Sequence, residues 1–355
     1  MAYTTIDDPS AYFQTVLYSS DGGGGSITVT NDGNSDLQPD WLWIKVRNGT
    51  NNHNTFDTSR GIANRLKPNT TDAEDGSSGV SVSSDGFATG TSLGDINNTS
   101  GANNYVAWQW KANGGTTTSV SASGAVNAGT HQANTTAGFS IVTYTGEDNS
   151  GDTVTHGLGA VPHFIIIKNR DNSSNWVVYH HKNTSAPETD HLLLNVQNAT
   201  SDSNNIFSDT APTSTVFTVG TNGDTGDADA YVAYCFTEIQ GYSKFGSYTG
   251  NGNADGPFIY TGFKPAFFIV KRTDASGENF VLRDNKVSPI NPVNAYVVAN
   301  DSRAEANHYA VDLLSNGFKV RTHESGHNHN GGTYIYMALA ESPFVSSEGV
   351  PTTAR

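Results

Sequence analysis

The chain has 355 residues, of which 15% are charged and 35% hydrophobic; it carries 37 glycines and a formal net charge of −15. So little charge, with so much Gly, Asn, Ser and Thr, excludes a helical bundle, and no stretch approaches the roughly 18 apolar residues of a membrane-spanning helix. Aromatic residues make up 10%, too many for a chain that buries nothing, and the negative balance disfavours nucleic acid and anionic lipid as partners.

The N-terminus, Met1-Ala2-Tyr3-Thr4-Thr5-Ile6-Asp7-Asp8, lacks the basic and apolar parts of a secretory signal, which predicts a product made in a cytosol. Sequons such as Asn48-Gly49-Thr50 and Asn98-Thr99-Ser100 then read as by-products of composition. Cys235 is the single cysteine, so no disulfide framework exists within the chain.

One pattern recurs three times in order. It opens with Tyr12-Phe13-Gln14-Thr15-Val16-Leu17-Tyr18, Gly138-Phe139-Ser140-Ile141-Val142-Thr143-Tyr144 and Tyr242-Ser243-Lys244-Phe245-Gly246-Ser247-Tyr248. A proline follows, then an apolar run, then a lysine six residues on: Pro39 to Lys45, Pro162 to Lys168, Pro265 to Lys271. Next come an aromatic (Phe56, Trp176, Phe280), an asparagine (Asn69, Asn195, Asn300) and a turn-plus-strand around Phe87, Phe217 and Phe318. Each copy closes on an aromatic strand from Tyr105, Tyr231 and Tyr334, which stand 60, 63 and 63 residues after the lysine.

Proline at a strand start loses no ladder bond, and the run behind it predicts a strand covered on both faces. The closing strand alternates more, which predicts one packed and one wetter face. Asp85-Gly86 and Asn316-Gly317 predict hairpins with positive φ at both central residues. The fold expected is all-β: three tandem antiparallel β-sandwich domains, jelly-roll or Ig-like, each with its own core, strung like beads. Their expected extents are 1–112, 138–239 and 240–341, with a Ser/Thr/Gly/Ala-rich linker or extended arm at 113–137 and a C-terminal arm at 342–355.

The chemistry on offer is sparse. His323-Glu324-Ser325-Gly326-His327 spells the zinc-protease motif, but Gly326 and the following Asn328-His329-Asn330-Gly331-Gly332 argue against the helix that chemistry needs. The His327 and His329 pair remains a candidate ligand set for a transition metal, by analogy with phage fibre tips where three such pairs meet on an axis. Asp224, Asp227 and Asp229, interleaved with glycine, are candidates for Ca2+. Gly90-Thr91-Ser92-Leu93-Gly94 spells a nucleophile elbow without the strand–helix context it requires. Cys235, inside the closing strand, reads as a small buried residue, and Lys45, Lys168 and Lys271 as strand ends with solvated heads. No catalytic residue and no cofactor is expected beyond those metal candidates, and the chain is not expected to be an enzyme.

The landmarks resemble a domain family widespread in marine bacteriophage genomes. The first copy carries it in Asp7-Asp8-Pro9-Ser10-Ala11-Tyr12-Phe13-Gln14-Thr15, Gln38-Pro39-Asp40-Trp41-Leu42-Trp43-Ile44-Lys45 and Tyr105-Val106-Ala107-Trp108-Gln109-Trp110-Lys111-Ala112. The second copy is closest, in His156-Gly157-Leu158-Gly159-Ala160-Val161-Pro162-His163-Phe164-Ile165-Ile166-Ile167-Lys168-Asn169-Arg170 and Asn175-Trp176-Val177-Val178-Tyr179-His180. The third has Tyr248-Thr249-Gly250-Asn251-Gly252 and Gly256-Pro257-Phe258-Ile259-Tyr260-Thr261-Gly262-Phe263-Lys264-Pro265. The resemblance spans nearly the whole chain and departs where Ser19-Ser20-Asp21-Gly22 replaces Thr-Gly after Tyr18.

What it implies is a virion structural protein, of the tail-fibre or host-attachment kind, with no catalytic residues to carry over. The alternative is a capsid decoration or tail adaptor protein. Expected partners are other virion proteins and a host cell-surface glycan or receptor. A homo-oligomer, a trimer by fibre precedent, is expected, located in the virion after synthesis in the host bacterial cytoplasm.

Overall fold

A computed structural model describes residues 2–20, 22–76, 79–91, 93–98 and 101–352. Ser92 of the elbow-like motif, Thr99 and Ser100 of one sequon, and the end of the C-terminal arm lie outside the described residues.

The chain is almost all β, in antiparallel sheets. The first repeat forms β1 (Phe13–Ser19), β2 (Thr28–Val29), β3 (Trp41–Val46), β4 (Asn54–Asp57), β5 (Ser81–Ser83), β6 (Gly86–Ala88) and β7 (Asn104–Trp110). Then come β8 (Thr118–Val120), β9 (Gly129–Asn134), β10 (Phe139–Thr145), β11 (Asp152–Thr155), β12 (Phe164–Asn169), β13 (Trp176–His180), β14 (Asp190–Leu193), β15 (Ser201–Asp202), the one-turn helix α1 (Asn204–Phe207), β16 (Val216–Val219) and β17 (Ala230–Phe236). The third repeat supplies β18 (Ser243–Thr249), β19 (Phe258–Tyr260), β20 (Phe263–Arg272), β21 (Val281–Asp284), β22 (Val293–Val298), β23 (Ala306–Leu314), β24 (Gly317–Val320), the one-turn helix α2 (Ser325–Asn328) and β25 (Thr333–Pro343).

One strand order appears three times: β1-β7-β3-β4, β10-β17-β12-β13 and β18-β25-β20-β21. The opening and closing strands meet at a stacked tyrosine pair in each: Tyr18–Tyr105 at 4.8 Å, Tyr144–Tyr231 at 5.0 Å and Tyr248–Tyr334 at 4.8 Å. Each repeat also sets an aliphatic residue opposite phenylalanine on a pair of short strands: Val29–Phe87, Val154–Phe217 and Ile259–Phe318.

Period-2 alternation sorts the main-sheet side chains between two cores. In the first repeat Leu42, Ile44 and Val46 pack with Val29 of β2 and Phe87 of β6. Trp41, Trp43, Trp108 and Trp110 point the other way, into one apolar cluster shared with Phe139, Phe164, Tyr234 and Phe236 of the second repeat and Phe245, Phe267 and Leu339 of the third. The first and second repeats thus each keep a core of their own, and a further core is shared by all three. The closing strands are buried on both faces rather than wet on one, because the second face meets a neighbouring repeat.

The contacts between repeats run in a closed cycle: second onto first, first onto third, third onto second. Tyr234 Oη donates to Asp57 Oδ2 (2.7 Å), and Trp108 Nε1 donates to Asp284 Oδ2 (3.1 Å). His180 holds the matching position at the last seam, its Nε2 lying 3.1 Å from the carbonyl of Tyr336. The backbone repeats the rule: Glu74 N–H donates to Arg170 O, Glu305 N–H to Arg47 O and Thr200 N–H to Thr273 O. Arg170–Glu74 and Arg47–Glu305 ion pairs, at 2.8 and 2.6 Å, reinforce two of these.

Residues 113–137 hold β8 and β9, an extended arm that adds to the second repeat's sheet by pairing on β10. The aromatic landmark in the first copy is His53, not Phe56: His53, Trp176 and Phe280 each donate their backbone N–H to the side chain of Asn69, Asn195 or Asn300. Both predicted hairpins form, but Ser84-Asp85 and Ser315-Asn316 make the turns without positive φ, and each glycine begins the return strand.

Candidate functional site

The two histidines of the His-x-His pair are differently placed. His327 is fully buried in α2, where Arg283 Nη1 donates to its Nε2 at 2.6 Å. Burial, then the Arg283 and His308 charges, holds its pKa well below the ordinary value. His329 is exposed, so one ring of the His-x-His pair is inside and the other outside. A helical turn does form here, against expectation, but it spans only Ser325–Asn328 and leaves His323 exposed.

The acidic loop is engaged by amides. Asp224 accepts from the backbone and side-chain nitrogens of Asn175 (2.7 and 3.2 Å), and Asp229 Oδ2 accepts from Asn169 and Asn172, both at 2.8 Å. Asp227 Oδ2 lies over Gly223 of the same loop. Among the described residues no three His, Cys, Asp or Glu side chains group to hold a metal ion.

The recurring lysines are not solvated. Lys45, Lys168 and Lys271 are each at most 1% exposed. They point into the seams between repeats, where Lys45 Nζ donates to Ser302 O (3.1 Å) and Lys168 Nζ to Thr71 O (3.2 Å), while Lys271 Nζ donates to Glu278 O within its own repeat (2.7 Å). Burial lowers all three pKa values to about 8. Cys235 is buried as expected, and burial pushes its thiol pKa up.

The surface offers a different arrangement, on the third repeat. A groove of about 730 Å³ is lined by Lys264, Asn285, Ser288, Ile290, Glu341 and Thr352, among others. Glu341 Oε2 accepts from Asn285 Nδ2 (2.9 Å) and pairs with Lys264 Nζ (2.7 Å) on its wall. Ile290 is 79% exposed. The amides of Thr261 and Gly262 donate to Asn316 O, which ties the end of β19 to the Ser315-Asn316 turn at the rim. On β19, Ile259 faces inward while Phe258 and Tyr260 are exposed. Tyr3 Oη donates to Gly262 O (2.8 Å) and lies 3.2 Å from Tyr260 Oη, fixing that ring.

The groove thus offers amides, hydroxyls and one carboxylate–ammonium pair, and the same repeat carries two exposed rings outside its lining. No sequence motif marks it, because its parts come from separate strands. The nearest signal was the Phe258-Ile259-Tyr260 alternation at a short strand.

A family model described as Domain of unknown function (DUF7483) matches residues 8–343. No curated protein and no solved structure matches the chain.

Proposed function

We propose that this chain, which belongs to the DUF7483 family, is a bacteriophage virion structural protein: a tail fibre or appendage that takes part in host attachment. We read it as three β-sandwich modules, jelly-roll or Ig-like, closed into one block, with the third module presenting the contact surface. The observation that carries the reading is a polar groove on the third repeat, which also exposes the rings of Phe258 and Tyr260. Amides, hydroxyls and a carboxylate hydrogen-bond sugar hydroxyls, and exposed aromatic faces stack on pyranose rings. The resemblance of the repeat landmarks to marine phage domains supports the virion setting.

The test is competition for host cells. Purified chain slows phage adsorption in proportion to its concentration, and the Phe258→Ser/Tyr260→Ser double variant, which alters only exposed rings, loses most of that effect. A folded chain that leaves adsorption unchanged overturns the reading.

A second reading, a capsid decoration or tail adaptor protein, is favoured by one feature: the exposed Phe258 and Tyr260 lie on a strand rather than at a loop tip. In that case the chain binds purified phage particles lacking it, and the double variant does not.

A further inference from the structure

Three corresponding seams close the ring, and one is filled differently from the others. Ile141 opposite Tyr234, Phe245 opposite Met337 and Thr15 opposite Trp108 mark the same register position in the three opening strands. At the first seam Gln132 of β9, fully buried, sits opposite Ile141. Its Nε2 donates to the hydroxyls of Thr58 and Ser59, both at 2.9 Å, and its Oε1 accepts from the amides of Asn113 (3.2 Å) and Gly115 (2.6 Å). At the next seam the space beside Phe245 holds His163 and His181, whose rings are 4.4 Å apart, with His181 Nε2 at 2.8 Å from Phe245 O.

At the third seam the corresponding residues are Ala266 and Asn285, and a groove of about 350 Å³ remains between them and Thr15. Thr15 is 4% exposed, and its Oγ1 has no hydrogen-bond partner among the described residues. Asp8, Asp32, Lys286 and Glu341 line the rest. Lys286 and Asp32 join the two walls at 2.8 Å, but both are well exposed, so the pair holds the groove only weakly.

The strand beside this groove ends its sheet; Phe13–Val16 are buried, and Leu17–Ser19 are the less covered part. β10 is covered by β9 in a six-residue antiparallel register, whereas β1 is the last strand of its sheet. Edge strands are commonly guarded by charge, proline or a covering segment. β18, also terminal, carries Lys244 paired with Glu238. β1 carries no charge and exposes Leu17, at the place where Thr143 of β10 bonds Thr130 of β9.

We propose that β1 and its groove accept an extended strand from a partner protein, added antiparallel to β1 as β9 is added to β10. The incoming segment presents a glutamine or asparagine opposite Thr15, where Thr15 Oγ1, Asn285 and Lys286 receive its amide. The carboxylates of Asp8, Asp32 and Glu341 favour a neutral or basic segment. Main-chain bonds give such strand addition its affinity and the seated side chain its specificity. This groove adjoins the larger one, sharing Asn285 and Glu341 with it, but the inference rests on β1 and Thr15 and not on host attachment.

The probe is a fluorescent peptide with the sequence of residues 127–136, titrated by anisotropy into the intact chain. The expected result is saturable binding with Kd on the order of 10–500 μM and slowed hydrogen exchange at residues 13–19. Alanine at the Gln132 position of the peptide weakens binding at least about tenfold, roughly the loss of a buried hydrogen-bonding group. Thr15→Phe, which copies Phe245, and Leu17→Lys, an exposed change that charges the edge without touching the core, each do the same. No saturable binding up to about 1 mM overturns the proposal, as does binding that slows exchange elsewhere and ignores both variants. Self-association that Leu17→Lys abolishes, read by light scattering, makes a second copy the occupant and overturns the partner strand.

Discussion

At the residue scale, the seams depend on polar groups placed inside an apolar core. Lys168 shows how. Its Nζ donates to Thr71 O, to Asn172 O and to both the carbonyl and hydroxyl of Ser174, at 2.9–3.3 Å. Lys168→Met keeps the apolar stem and leaves those acceptors without their donor. An unsatisfied buried acceptor costs about 1–3 kcal/mol, so urea denaturation of the variant should show a loss of about 2–4 kcal/mol. Histidines set a pH limit. Burial lowers His53 and His180 to about 3 and His156 and His181 to about 4. With folded values below the unfolded 6.5, the unfolded chain binds more protons as pH falls, so stability is full above about pH 6.5 and declines toward pH 4. The fully buried His53 and His180 should each contribute about 1–2 kcal/mol of loss by pH 5. Urea midpoints at pH 7.5 and 5.0 check this, and His180→Gln should flatten the difference.

At the scale of elements, the repeat landmarks were legible because they mark strand ends and turns. The proline, the apolar run, the asparagine and the closing tyrosine all hold corresponding places in three sheets. What escaped notice was the seam chemistry. Asp57, His180 and Asp284 stand opposite Trp41, Phe164 and Phe267, but they differ in residue type, so no repeat signal joined them. Lysines at the ends of apolar runs looked solvated because one strand says nothing about the neighbour that covers it. The groove on the third repeat was equally hidden, being assembled from separate strands. Two elements invite direct tests. Gly86 has φ +106°, and a Cβ there would overlap the carbonyl of Val29. Gly86→Ala should lower stability by about 2 kcal/mol or more, since strain and a clash act together, read by thermal melting. Gln132→Ala should cost about 2–3 kcal/mol by stranding the Thr58 and Ser59 hydroxyls and two backbone amides, with faster exchange in β9.

At the scale of the molecule, a shared core makes the repeats interdependent. Trp41 of the first repeat lies 4.2 Å from Tyr234 of the second, and Phe13 lies 5.5 Å from Phe267 of the third. Calorimetry should therefore show one unfolding transition with matching calorimetric and van't Hoff enthalpies, not three. Trp108→Phe, which removes the indole bond to Asp284 and part of a buried ring, should lower the whole transition rather than split off a component.

Closure in a cycle also bears on the order of synthesis. The first repeat must dock on the third, so the seam from Trp108 to Asp284 cannot form until the third repeat has left the ribosome. Until then the tryptophan face of the first repeat waits uncovered beside nascent copies on the same message. Each seam carries a different polar pair: tyrosine with aspartate, indole with aspartate, imidazole with a backbone carbonyl. That divergence gives a waiting face one matching partner in its own chain, and it disfavours capture by the wrong repeat of a neighbour.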